Sequence, residues 1–406
     1  MNMMKIAVLG YGTVGSGVVE VLKTNAKLIN QNAQDEISIK YVLDLRNFEG
    51  DPIQELIVHD FDVILNDPEV KIVVEVMGGI EPAYTFVKKS LLAGKSVTTS
   101  NKALVAEHGT ELLSIAREQG VNFLFEASVG GGIPIIRPLH TCITADQVEE
   151  VFGIVNGTTN YMMTKMFYED ANYDEVLKQA QDMGYAERNP EADVEGHDAC
   201  RKIAILTSIV SGKTVRYEDI YTEGITKVSV EDMQYAKAMN MTIKLLASSK
   251  QVEGEFSAMV APYMVGVDHP LYSVNDVLNA VYVKGNVLGP AMFYGSGAGK
   301  LPTASAVVSD IVDMTKHQGQ DIMATWSGER LVLKSKDEIE GCFFVRVAGN
   351  KLGLEEKINR VFGSVEIVEI EGVVEEFGFS TDKMTERDYV KKSEMLPEIK
   401  GMIRIV

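Results

Sequence analysis

The sequence predicts an α/β chain in three parts: a doubly wound parallel-sheet domain over 1–134, an α+β domain over 135–299, and a βαββαβ module over 341–406. Three observations carry that division. Short apolar strands alternate with helix-compatible runs from the first residues onward, as in a parallel sheet flanked by helices. A Gly-x-Gly-x-x-Gly loop stands between the first such strand and the first such helix. After residue 340 the order changes to strand, helix, strand, strand, helix, strand.

Lys5–Leu9 is the first strand, and Gly10-Tyr-Gly12-Thr13-Val14-Gly15 follows it directly, ahead of the apolar run Val18–Leu22. The glycines allow a tight turn and close approach of a pyrophosphate, and the amides from Gly12 to Gly15 point at it from a helix N-terminus. In this context the loop reads as a Rossmann-type dinucleotide site. The second strand, Ile37–Leu43, ends at Asp44-Leu-Arg46. An acid there accepts from a ribose 2′-hydroxyl and an arginine takes a 2′-phosphate, so NAD and NADP both stay open. Val70–Met77 is a third apolar run, followed by Gly78-Gly79, a helix over Tyr84–Ala93 and a strand over Ser96–Thr99. Lys102 stands just past that strand end, with apolar Ala103, Leu104 and Val105 after it. A buried lysine is costly without a partner, so Lys102 reads either as a surface lysine or as a site residue. Phe123–Phe125 is the next strand and runs into Glu126-Ala-Ser-Val129-Gly-Gly131-Gly-Ile133-Pro. Three consecutive glycines mark a backbone that something approaches closely. Carbonyls here, with Glu126, suit a hard cation, although a plain turn has the same spacing.

The middle part contains Asn156-Gly157-Thr-Thr-Asn160, polar and glycine-hinged, before a helical stretch towards Leu177. From Glu187 to Lys202, five carboxylates (Glu187, Glu191, Asp193, Glu195, Asp198) crowd a Pro- and Gly-punctuated loop that turns into an apolar helix over Ile203–Val210. Asp198 and Lys202 lie one turn apart at that helix start. As a surface i,i+4 pair they would contribute about 0.3–0.5 kcal/mol; as a site, they offer a carboxylate and an amine to a small zwitterion. Residues 228–295 mix helices with short strands at Phe256–Pro262 and Ala280–Val283. Gly295-Ser-Gly297-Ala-Gly299-Lys-Leu-Pro-Thr303 is a second glycine loop, opening a helix over Thr303–Thr315, and 300–320 is expected to return to the first domain. The tail reads as strand Cys342–Val347, helix Leu352–Phe362, strands Ser364–Ile370 and Val373–Ser380, helix Thr385–Met395 and strand Ile399–Val406.

A net charge of −19 over 406 residues, spread along the chain, argues against a nucleic-acid or anionic-membrane partner. No apolar run is long enough for a transmembrane helix, and the N-terminus enters a strand with no room for a signal peptide. Cys142, Cys200 and Cys342 are far apart, with neither disulfide nor zinc spacing, as expected in a reducing cytoplasm.

Together these segments resemble homoserine dehydrogenases from residue 5 to about 320. The resemblance is carried by the 10–15 loop, Thr99-Ser-Asn-Lys-Ala-Leu, Glu126-Ala-Ser-Val-Gly-Gly-Gly-Ile-Pro, Gly153-Ile-Val-Asn-Gly-Thr-Thr-Asn, Asp193-Val-Glu-Gly-His-Asp-Ala-Cys-Arg-Lys and Gly295-Ser-Gly-Ala-Gly-Lys-Leu-Pro-Thr-Ala. It implies that Lys202 is the proton donor, that Lys102 is a second active-site lysine against the nicotinamide, and that Glu187 and Asp198 bind substrate. It further implies a monovalent-cation site, normally sodium, at Glu126, Val129, Gly131 and Ile133. Gly157, Gly297 and Gly299 then fall on cofactor contacts beside Gly10, Gly12, Thr13, Val14, Gly15 and Arg46. The tail resembles an ACT domain, a small ligand-sensing module, but carries Asn350 where an aspartate is usual. An amino-acid effector there, and a homodimer or homotetramer, are expectations of the family. Two other readings fit the bare pattern: a non-catalytic redox or amino-acid sensor, and a dehydrogenase of the same architecture acting on another aldehyde.

Overall fold

The computed structural model describes residues 3–371, 373 and 375–406, in two compact units. One comprises the chain through Gln147 with Ala204–Tyr217 and Phe293–Leu331; the other comprises Val148–Ile203, Glu218–Met292 and Val332–Val406. This differs from the three-part division read from the sequence, for two reasons. The helix His197–Ser211 passes from one unit to the other, and the tail shares its sheet with the middle of the chain.

The first unit is built on a six-stranded parallel sheet, ordered Ile57–Val58, Glu36–Leu43, Met3–Leu9, Val70–Glu75, Ser96–Thr99, Phe123–Leu124. The order reverses between Met3–Leu9 and Val70–Glu75, which opens a crevice beyond their C-terminal ends. Ile6, Ala7, Val8 and Leu9 of the one strand and Val73 and Val74 of the other are fully buried, as expected of strands covered by helices on both faces. Helices Thr13–Thr24, Ala83–Leu92 and Lys102–Glu118 provide that cover, and Lys300–Lys316 belongs to the same unit. It packs so tightly on Thr13–Thr24 that a Cβ at Gly17 would lie 2.7 Å from the Lys300 carbonyl.

The second unit is organised by a long mixed sheet. From one end it runs Gly289–Ser296, Leu278–Gly285, Val148–Ile154, Met241–Val252, Glu255–Gly266, then the tail strands Ile399–Ile405, Glu340–Ala348, Glu376–Ser380 and Glu366–Val368. Met241–Val252 and Glu255–Gly266 form a hairpin closed by Glu253-Gly254, both with positive φ, the geometry that matches strand twist. The tail keeps the βαββαβ order, with its fourth strand beside its first, and its two helices Lys351–Phe362 and Glu386–Ser393 enclose a core of Phe343, Val345, Ile358, Phe362, Phe377, Phe379 and Tyr389. Its expected strand Val373–Ser380 is shorter, Glu376–Ser380, and Val374 lies outside the described residues. The junction was not expected: Ile399–Ile405 pairs in parallel with Glu255–Gly266 through Tyr263↔Arg404 and Met264↔Ile405. Among the described residues no helix is long and apolar enough to cross a membrane.

Candidate active site

In the second unit, Gly196 takes φ +82° and turns the chain from the short helix Glu191–Val194 into His197–Ser211. Asp198 and Lys202 follow on the first two turns, 4% and 8% exposed. The exposure excludes the surface-pair reading. The Lys202 Nζ donates to Asp198 Oδ2 at 2.7 Å and to the Val155 carbonyl at 2.6 Å. Asn156 organises the other side. Its Oδ1 caps the helix Gly157–Glu169 by accepting from the Thr159 amide at 2.9 Å. Its Nδ2 donates to Asp198 Oδ2 at 2.9 Å and to Asp193 Oδ1 at 2.7 Å. One helix cap thus holds two of the five carboxylates of the Glu187–Lys202 stretch. Burying an ammonium with a carboxylate is tolerable because each also has further hydrogen-bond partners. Gly157 opens the capped helix, and a Cβ there would lie 2.9 Å from the Val277 carbonyl. Glu187 lies on an exposed segment, where its backbone carbonyl accepts from Gln181 Nε2 at 3.1 Å.

The sequence left Asp193 without a role and gave no sign that Asn156 would join it to Asp198. The Asn-x-x-Thr start of a helix is a legible cap signal, but where the amide nitrogen of that cap points is not.

In the first unit, Gly10 has φ +99°, and Gly15 is fixed by packing, since a Cβ there would meet the Gly10 carbonyl at 1.9 Å. Gly12, at the N-cap of Thr13–Thr24, has open space within 4 Å, and Thr13 is exposed. That is the cradle a pyrophosphate needs: open at the N-terminus of a 12-residue helix and closed where helix meets strand. Asp44 and Arg46 are paired with each other, Nε to Oδ1 at 3.0 Å and Nη2 to Oδ2 at 2.9 Å, and Asp44 also accepts from the Tyr11 amide. The guanidinium holds the Asp44 carboxyl well below the usual carboxylate range.

Lys102 is the first residue of Lys102–Glu118 and is half-buried. Asn101 caps this helix through the Leu104 amide and donates to the Gly79 carbonyl at 2.5 Å. Behind them, Glu75 is fully buried, accepts from Thr99 Oγ1 and from the Met77 amide at 2.8 Å, and burial pushes its carboxyl up. In the sequence Glu75 is only a charge interrupting an apolar strand.

The triple glycine approaches the second glycine loop. Gly130 and Gly131 have φ +73° and +56°, and a Cβ at Gly131 would lie 2.2 Å from the Gly297 carbonyl. Gly299, φ +117°, starts Lys300–Lys316. Val129 and Ile133 are buried. The Glu126 carboxylate is committed to protein: it accepts from the amides of Ile135, Ile136 and Arg137 at 2.6, 2.9 and 2.7 Å. Asp310 accepts from Thr98 Oγ1, the Glu126 amide and the Arg137 guanidinium, and burial pushes its carboxyl up to about 7.

A sequence model of the homoserine dehydrogenase family matches residues 134–312, and one of its NAD-binding domain matches 10–126. The homoserine dehydrogenase of Bacillus subtilis is 39% identical over 89% of this chain and 85% of its own length. The chain belongs to the homoserine dehydrogenase family. Among solved structures, the homoserine dehydrogenase of Thiobacillus denitrificans superposes with a TM-score of 0.91 at 34% identity, covering 100% of this chain and 99% of its own. A hyperthermophilic archaeal homoserine dehydrogenase in complex with NADPH matches 77% of this chain and 98% of its own, with a TM-score of 0.65 at 26% identity. The family's reaction is the NAD(P)-dependent interconversion of L-aspartate 4-semialdehyde and L-homoserine, and the chain is accordingly an NAD(P)-dependent oxidoreductase of amino-acid biosynthesis.

Proposed function

We propose that the buried Asp198–Lys202 pair, braced by Asn156, is the acid–base centre of this homoserine dehydrogenase. In reduction of the semialdehyde, the Lys202 ammonium stabilises the nascent alkoxide and gives it a proton; in oxidation of homoserine the proton returns. Positioned acid–base catalysis of this kind contributes about 10²–10⁴-fold. Asp198 holds Lys202 in place and, with Glu187, receives the substrate ammonium. The N-terminus of Gly157–Glu169 suits the substrate carboxylate, since helix N-termini favour anions. By family resemblance, Lys102 is a second active-site lysine.

Gly10, Gly12, Thr13, Val14 and Gly15 would hold the cofactor pyrophosphate, Arg46 the ribose end, and Gly157, Gly297, Gly299 and Lys102 further parts. When bound, NAD or NADP supplies and accepts the hydride. The carbonyls of Glu126, Val129, Gly131 and Ile133 would hold a monovalent cation, sodium by family habit. The Glu126 carboxylate is spent on three amides, so its contribution is the backbone oxygen. The tail's strand order supports an ACT-type module. A polar cavity of about 290 Å³, lined in part by Lys227, Lys336 and Lys400, lies at its junction with the sheet and has the size for a small amino-acid effector. Threonine and methionine synthesis, a homodimer or homotetramer, and a cytoplasmic location complete the reading.

The carrying observation is that both members of the Asp198–Lys202 pair are buried and hydrogen-bonded rather than solvated. NAD- and NADP-linked oxidation of L-homoserine at alkaline pH tests it. Activity is expected with at least one cofactor; absence of activity with both would overturn the reading.

A further inference from the structure

The tail reaches the acid–base corner through a short strut. Tyr221–Thr222 pairs with Met259 and Val260 of the long hairpin, and the Glu223 amide donates to the Val260 carbonyl at 2.8 Å. This segment supports the corner that ends in Asp198. Gly224 lies against the Val194–Glu195 backbone so closely that a Cβ would be 2.1 Å from the Val194 carbonyl. The Ile225 amide donates to that same carbonyl at 2.8 Å, and Thr222 lies under Gly196. Val194 is next to Asp193, which Asn156 holds, and Gly196 precedes Asp198 by two residues. From the tail, Arg404 is 4% exposed, forks onto Glu386 at 2.6 and 3.2 Å, and donates to Glu223 at 2.8 Å.

We propose that Arg404 and Glu223 are positioning residues for the acid–base centre: through them the last strand of the tail fixes the strut on which the Asp193–Asp198 corner rests. The tail is then a working part of the catalytic body, whatever effector it also senses. This rests on the roles given above to Asp198 and Lys202. A buried, forked guanidinium fixes direction as well as distance, which a lysine ammonium cannot do. Small displacements of catalytic groups are costly, of order 10²-fold for about 1 Å.

The test uses the whole 406-residue chain. Glu223→Gln removes the charge across the junction while leaving Arg404 its Glu386 partner, and Arg404→Lys keeps the charge but loses the fork. Homoserine kcat is expected to fall and its KM to rise, lowering kcat/KM about tenfold in Arg404→Lys and less in Glu223→Gln, whose amide oxygen can still accept from Arg404, with cofactor KM unchanged in both. A purely structural role lowers Tm and the active fraction, hence kcat, without moving the homoserine KM; that result overturns the proposal. Lys202→Ala is the control for the underlying reading. If it retains full turnover, that reading fails and the proposal with it. If Lys202→Ala is inactive and both junction variants keep wild-type homoserine KM, the proposal alone fails.

Discussion

Lys202 and Lys244 are both buried lysines of the second unit, and both donate to a backbone carbonyl, but their surroundings differ in kind. Lys202 is paired with a carboxylate at 2.7 Å on the opening turns of a helix. Lys244 is in the middle of a strand, 1% exposed, and its partners are neutral oxygens: the Val274 carbonyl at 2.6 Å, Asn275 Oδ1 at 2.9 Å and Asn160 Oδ1 at 3.3 Å. Asn160 in turn donates to the carbonyls of Val274, Asp276 and Leu278, so the pair clasps one loop. Burial, only partly offset by the nearby Asp276 carboxylate, pushes the Lys244 ammonium down to about 7. Burial alone therefore does not mark a catalytic lysine. On the proposed reading, a carboxylate partner at a helix end, beside a capped helix start and a second acid, suits a proton-handling centre, whereas a ring of neutral acceptors suits a clasp.

Three substitutions sharpen the contrast, in falling order of effect. Asp198→Asn strips Lys202 of its counter-charge and is expected to lower kcat about 10²-fold and to lower Tm as well, because a buried ammonium loses its carboxylate, checked by steady-state kinetics and thermal melts. Lys244→Met should leave turnover within about threefold but cost about 2 kcal/mol of stability, since three acceptors lose their donor. Its pH dependence has a definite sign. Between pH 7 and 10.5 the unfolded chain still binds the proton that folded Lys244 has given up. Stability from this group therefore rises with pH across that window and is lost as pH falls through 7. Urea unfolding at pH 7 and 9 should show the deficit of Lys244→Met relative to wild type widening; a narrowing gap would refute the clasp. Arg46→Ala acts on an exposed pair and should have the smallest effect: release of Asp44, with a shift in kcat/KM towards NADH over NADPH of about tenfold or less.

The same contrast explains what could be read from the chain. The first unit's sheet was legible because strands buried on both faces leave continuous apolar runs, and its glycine loop because Gly15 has no room for a Cβ. The strand Met241–Val252 was not. Its Lys-Leu-Leu-Ala run suits a helix, and it is held extended by pairing with Val148–Ile154 on one side and Glu255–Gly266 on the other. At the site, Asp198 and Lys202 could be found from their i,i+4 spacing, whereas Asn156 joins them across about forty residues by a side-chain amide, which no local pattern encodes. The tail's element order was legible from its alternation. Its fusion to the body was not, because it depends on the register Tyr263↔Arg404 and on the ion pair of Arg404 with Glu223.

The assignment of the proton to Lys202 is tested most directly by Lys202→Ala assayed for homoserine oxidation, with cofactor binding measured in parallel. Turnover should fall about 10³-fold while cofactor affinity and fold are retained. Turnover within about threefold of wild type would contradict it.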